Sequence, residues 1–181
     1  MVTTPLSGWF NCAGERGTGL AIAISVAQKL AAHRDIVLIM PTGHELGFLG
    51  AERFVETFDE PVAGVLHLGS CVADHGAHGP DGYMRAVTNL DRTGFQVASD
   101  ALSKERIELE AARDPADPAC WIGESELWAP KRLPMVSIAG TSPNFHTPAD
   151  TVENATSREL LERMDACVLN AAQALIGHNR N

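Results

Sequence analysis

The chain has 181 residues, 45% hydrophobic and 20% charged, which is enough for one globular domain over residues 1–181 with a real core and too hydrophobic for a disordered segment. Acidic residues outnumber basic ones 23 to 14, giving a formal charge of −9, so a phosphate-tracking surface and nucleic acid as a partner are set aside. The opening Met1-Val2-Thr3-Thr4-Pro5 lacks the basic start and apolar stretch of a secretory leader. No run approaches the ~20 apolar residues of a membrane span, so the expectation is a soluble, cytoplasmic protein with no membrane partner.

Residues 18–33 are Ala-rich and apolar on nearly every side up to Gln28, the pattern of a well-buried helix. Residues 35–40 form a short continuous apolar run stopped by Pro41-Thr42-Gly43, which predicts a central strand covered on both faces. A second helix follows over residues 46–58, and residues 62–68 and 133–139 are further strand candidates, with 83–89 a weaker one. Residues 94–112 read as one helix with Phe95, Val97, Ala98, Ala101 and Leu102 on its apolar side. The segment 114–130 is rich in turn residues and carries Trp121 and Trp128, so it reads as a loop with packed aromatics, and Trp9 reads as core or pocket wall. In the closing helix, residues 157–176, Leu160, Leu161, Met164, Val168, Leu169, Ala172 and Leu175 recur at three- and four-residue spacing. Alternating strands and helices imply an α/β layer structure with a mostly parallel sheet.

In such sheets, function gathers beyond the carboxyl ends of the strands. Three polar segments lie where that matters: Gly14-Glu15-Arg16-Gly17 before the first helix, Gly43-His44-Glu45-Leu46-Gly47 after the 35–40 run, and Asn144-Phe145-His146-Thr147-Pro148-Ala149-Asp150 after the 133–139 run. Each offers a carboxylate or imidazole. Bland explanations exist beside this one: acids near helix starts are favoured by the helix dipole, and Asp150 with Glu153 has the look of a capping box. The Asp74-His75-Gly76-Ala77-His78 cluster reads as a tight exposed turn, and the Gly14 to Gly19 loop lacks the residues of a phosphate-binding loop. Cys12, Cys71, Cys120 and Cys167 show no metal-binding spacing and read as buried thiols of a reducing compartment, although an even count is also compatible with two disulfides.

Taken in order, three segments carry a family resemblance. Thr42-Gly43-His44-Glu45-Leu46-Gly47-Phe48-Leu49-Gly50-Ala51 resembles the Glu-Glu-x-Gly-Leu-x-Gly-Ser signature of the co-catalytic zinc aminopeptidases of peptidase clan MH, which include transferrin-receptor-like and glutamate carboxypeptidase-like proteins. Cys12-Ala13-Gly14-Glu15-Arg16-Gly17-Thr18-Gly19 resembles that family's Gly-Ala-Asp-Asp-Asn-x-Ser-Gly, and His146-Thr147-Pro148-Ala149-Asp150-Thr151 its closing His-x-x-x-Asp-Thr.

The resemblance implies a three-layer α/β/α zinc-exopeptidase-like fold without the family's N-terminal strands, and hence a shortened form or a fragment. Glu15, Glu45 and His146 are implied as zinc ligands, with Arg16 and Asp150 behind them. His44 replaces the family's general base. The family's His-x-Asp falls where this chain has Thr4-Pro5-Leu6-Ser7, and a further ligand Asp falls at Gly69, so one zinc is implied rather than two. Two carboxylates and an imidazole suit a single Zn²⁺ with an open fourth position, in which case His44 acts as base; alternatively His44 is the fourth ligand and closes the site. The implied activity is metallopeptidase-like hydrolysis of a peptide or small amide, and the rival is an inactive pseudopeptidase that binds a ligand or protein.

Overall fold

The apolar runs punctuated by Gly and Pro become the strands of one sheet in a computed structural model, which describes residues 1–177. These are β1 (Val2–Thr3), β2 (Leu38–Ile39), β3 (Val65–Leu68), β4 (Tyr83–Thr88), β5 (Glu108–Ala111) and β6 (Met135–Thr141), in the spatial order β2-β1-β3-β6-β4-β5. Every neighbouring pair is parallel except β4 and β6. Side chains alternate along each strand and so divide between two faces. Leu66, Leu68, Ala86, Val136 and Ile138 point into a large apolar cluster, and Val65, Val87 and Met135 into a smaller one opposite.

Helices α1 (Thr18–Ala31), α3 (Arg92–Leu102) and α5 (Arg158–Gly177) cover the first face. Ile22, Ala23 and Val26 of α1 are buried there, as are Leu160, Met164, Val168 and Ala171 of α5, at the spacing that puts them on one stripe. Helix α2 (Leu49–Thr57) covers the second face through Phe54 and Val55, together with a 3₁₀ segment, Gly123–Lys131, through Trp128, and with Trp121 just before that segment. The short α4 (Val152–Ala155) precedes α5. The fold is a three-layer α/β/α sandwich with a mostly parallel sheet.

Several local readings need correction. The 35–40 run is an edge strand, reduced to Leu38–Ile39 and paired with β1 alone among the described residues; Val37 and Met40 are 39% and 38% exposed. The strand is thus at the edge rather than the centre, although Leu38 packs against the cluster on one face and Ile39 is buried in the cluster on the other. The predicted helix 94–112 stops at Leu102, because Arg106 turns left-handed at φ 60° and Glu108–Ala111 then pairs with β4. Trp9 is 53% exposed, whereas Trp121 and Trp128 are buried. Within the Asp74 turn, Asp74 and Ala77 are buried rather than exposed, with Asp74 accepting from Gly76 N at 2.7 Å and Ser142 Oγ at 3.1 Å. All four cysteines are free, but only Cys71 and Cys167 are buried.

Candidate metal site

The parallel strands β1, β2, β3 and β6 bring their carboxyl ends to one edge of the sheet, and the segments that follow β1, β2 and β6 carry Glu15, Glu45 and His146 to it. Glu15 sits on a five-residue turn, Ala13–Gly17, wound wider than an α-helix, with Thr18 N reaching back to Ala13 O. Such wide turns recur at functional sites. The amides of Gly14 and Glu15 donate to Asp150 Oδ1 at 2.6 Å and Oδ2 at 3.0 Å. Asp150 thus fixes the backbone of Glu15 rather than an imidazole. The cap of α4 is Thr151, whose side chain accepts from Asn154 N, so the capping-box reading of Asp150 does not hold. Gly14 has no room for a side chain, since an added Cβ would overlap the carboxylate of Asp74.

Glu45 lies in a single 3₁₀ turn, His44–Leu46, between Gly43 at φ 75° and Gly47 at φ 80°, conformations that favour glycine. The turn is tied down from an unexpected side. Ser7 Oγ accepts from Gly43 N at 2.9 Å and His44 N at 3.1 Å, while Ser7 O accepts from Arg16 Nε at 2.8 Å. His146 is held at φ 59° with its ring stacked on Phe145 at 4.0 Å.

These turns place His146 Nε2 3.1 Å from Glu15 Oε1 and 3.9 Å from Glu45 Oε2. Donor atoms of Glu15, Glu45 and His146 all lie within 4.8 Å of one another. Glu15 is fully buried, and its Oε2 has no hydrogen-bond partner, an expensive arrangement that a cation would relieve. Burial pushes the Glu15 carboxyl above its ordinary range, with Arg16 and His146 pulling the other way. Two carboxylates and an imidazole are hard and borderline donors suited to zinc. The chemistry of these donors therefore fits a metal ion. Arg16, buried at 2% exposure, places Nη2 2.9 Å from Glu15 Oε1 and 2.8 Å from Glu45 Oε1.

His44 pairs with Glu124: its Nδ1 is 2.9 Å from Glu124 Oε1, and its ring packs against Phe48 at 4.8 Å. Glu124 is fully buried on the 3₁₀ segment, and its Oε2 has no hydrogen-bond partner. Neither Ser7 nor Glu124 was singled out from the sequence. Both stand in turn-rich stretches, and their contacts cross 36 and 80 residues, so no spacing signal exists for them.

Beyond β1, Thr4 is buried with an unpartnered Oγ1, and neither histidine nor aspartate follows. At Gly69 an added Cβ would stand 2.8 Å from Ala139 Cβ and 3.2 Å from His67 Cε1, so a side chain does not fit without a shift.

Fold and side chains together define an α/β sandwich with a carboxylate–imidazole cluster at the carboxyl edge of its sheet. The sequence matches peptidase family M28 over residues 7–172, and the chain belongs to that family. Among curated proteins none matches it at a significant level. Its fold is similar to that of the LapA aminopeptidase of Legionella pneumophila, at 19% identity and a TM-score of 0.64, over 99% of this chain and 51% of that one. It is also similar to an aminopeptidase from Aneurinibacillus sp. strain AM-1 (17% identity, TM-score 0.69, 96% of this chain and 43% of that one). BSAP, a zinc aminopeptidase from Bacillus subtilis, gives 16% identity and a TM-score of 0.71 over 94% of this chain and 44% of that one. The chain thus spans about half the length of these structures or less.

Proposed function

We propose that this chain is a zinc-dependent hydrolase of the aminopeptidase type that cleaves a peptide or related amide, with one zinc held by Glu15, Glu45 and His146. Membership of peptidase family M28 and the zinc aminopeptidase among its structural relatives support the class. The observation that carries the site is the convergence of three side chains from distant loops within 4.8 Å, with a buried Glu15 oxygen left without a partner. A bound zinc supplies a water of pKa near ~7 and polarises the scissile carbonyl.

The chain's own residues do the rest. Because the Glu124 carboxylate accepts at Nδ1 of His44, the His44 proton is placed on Nδ1 and Nε2 keeps the lone pair that takes a proton and later returns it to the leaving amine. The cluster of donor atoms within 4.8 Å comprises Glu15, Glu45 and His146 and not His44, which favours His44 as base over fourth ligand. Asp150 and Ser7 hold the two acid-bearing turns, and Phe145 stacks on the His146 ring.

The test is a panel of aminoacyl and N-acyl amides with the zinc-loaded protein, alongside its metal content. The reading predicts turnover that His44→Ala lowers by about a hundredfold or more and zinc that Glu45→Ala removes; an inert protein whose metal content is indifferent to Glu45→Ala contradicts it. One observation favours a second reading, a metal-free pseudopeptidase that binds a ligand or another chain: Arg16 already bridges both acids and offsets one of their two negative charges. Absence of turnover together with absence of zinc decides for that reading.

A further inference from the structure

Arg16 is the side chain in this pocket that hydrolysis does not call for. It is 2% exposed, its Nε is fixed by Ser7 O at 2.8 Å, and its Nη2 bridges Glu15 Oε1 and Glu45 Oε1 at 2.9 and 2.8 Å. A guanidinium stays charged at any working pH, so a permanent positive charge stands among the acids before any ion arrives. Its contacts take one oxygen from each acid and leave the other. Of those left, Glu15 Oε2 is buried and unpartnered, and Glu45 Oε2 lies 3.9 Å from His146 Nε2.

Two carboxylates and one guanidinium leave the pocket one negative charge, which a divalent ion turns into one positive charge. A second divalent ion would meet that positive charge beside the buried Glu15 and Arg16, where repulsion is screened less than at the partly exposed Glu45 and His146. We infer that Arg16 is a built-in cation that restricts this pocket to a single divalent ion and lowers its affinity for that ion. This rests on the reading of Glu15, Glu45 and His146 as metal ligands.

Calorimetric titration of the chelator-stripped full chain with Zn²⁺, backed by metal content per chain after dialysis, tests it without any activity assay. Arg16→Met removes the charge; Arg16→Gln removes it too but still offers an amide donor to the acids, which covers the case of a Met variant that does not fold. Arg16→Lys keeps the charge. The wild type is expected to bind one ion, the Met or Gln variant to bind it at least tenfold more tightly or to take a second, and the Lys variant to stay near the wild type. Binding in the uncharged variants with wild-type affinity and stoichiometry overturns the role of Arg16 and leaves the metal site standing. Binding that appears only when the charge is removed upholds that role and overturns a zinc-loaded wild type. No binding in any form overturns both.

Discussion

Glu124 reaches His44 from a segment 80 positions away and does so from a fully buried position, where a carboxylate is costly unless it has work to do. Substituting a carboxylate that orients a functional imidazole typically costs about ten- to a hundredfold in activity. Glu124→Gln should therefore lower kcat by about that factor while leaving zinc content unchanged. Combined with His44→Ala it should add no further loss, because the two act as one unit. Steady-state kinetics of the two single variants and the double variant check this; losses that multiply would show that Glu124 acts elsewhere. At this scale the sequence was informative only where a motif of several neighbours exists. Glu15, Glu45 and His146 each stand in such a string, whereas Ser7 and Glu124 contribute through single long-range hydrogen bonds with no local pattern.

At the scale of elements, β3 carries the clearest electrostatic consequence. His67 is buried at the centre of the sheet, with Nδ1 2.9 Å from Ser137 Oγ of β6 and Nε2 unpartnered. Burial, reinforced by the nearby His44 and Arg16, lowers its pKa from 6.5 to about 3. The unfolded chain thus takes up a proton as pH falls through 6.5 while the folded chain does not until about 3. This contribution to stability is present above pH 6.5 and declines below it by about 1.4 kcal/mol per pH unit. Urea melts of the metal-free protein between pH 7.5 and 4.5 should show the wild type losing about 3 kcal/mol more than His67→Gln. Parallel losses would mean that His67 is protonated in the fold. Helix α1 was legible from an Ala-rich run apolar on nearly every side, and α5 from a long run at three- and four-residue spacing. The 94–112 region was not: after Leu102 the four residues of β5 alternate only briefly, with Leu109 alone turned inward, too short a run to overrule a helical start. Strand β1, two residues long, had no periodicity to show.

Over the whole molecule, alternation of strand and helix was enough to anticipate a mostly parallel sheet between helical layers. What alternation does not encode is lateral order: nothing in the apolar run around Leu38–Ile39 distinguishes an edge strand packed by loops from a central one. That order nevertheless sets the site, because it brings the loops after β1, β2 and β6 to one edge of the sheet. No helix among the described residues is long and apolar enough to cross a membrane. The central claim, that Glu15, Glu45 and His146 converge on one cation, is tested most directly by X-ray absorption at the zinc edge on the protein loaded with one equivalent. The account predicts oxygen and nitrogen neighbours at about 2.0–2.2 Å with the signature of a single imidazole, which disappears in His146→Ala. A spectrum dominated by sulfur at about 2.3 Å, or one unchanged by His146→Ala, would contradict it.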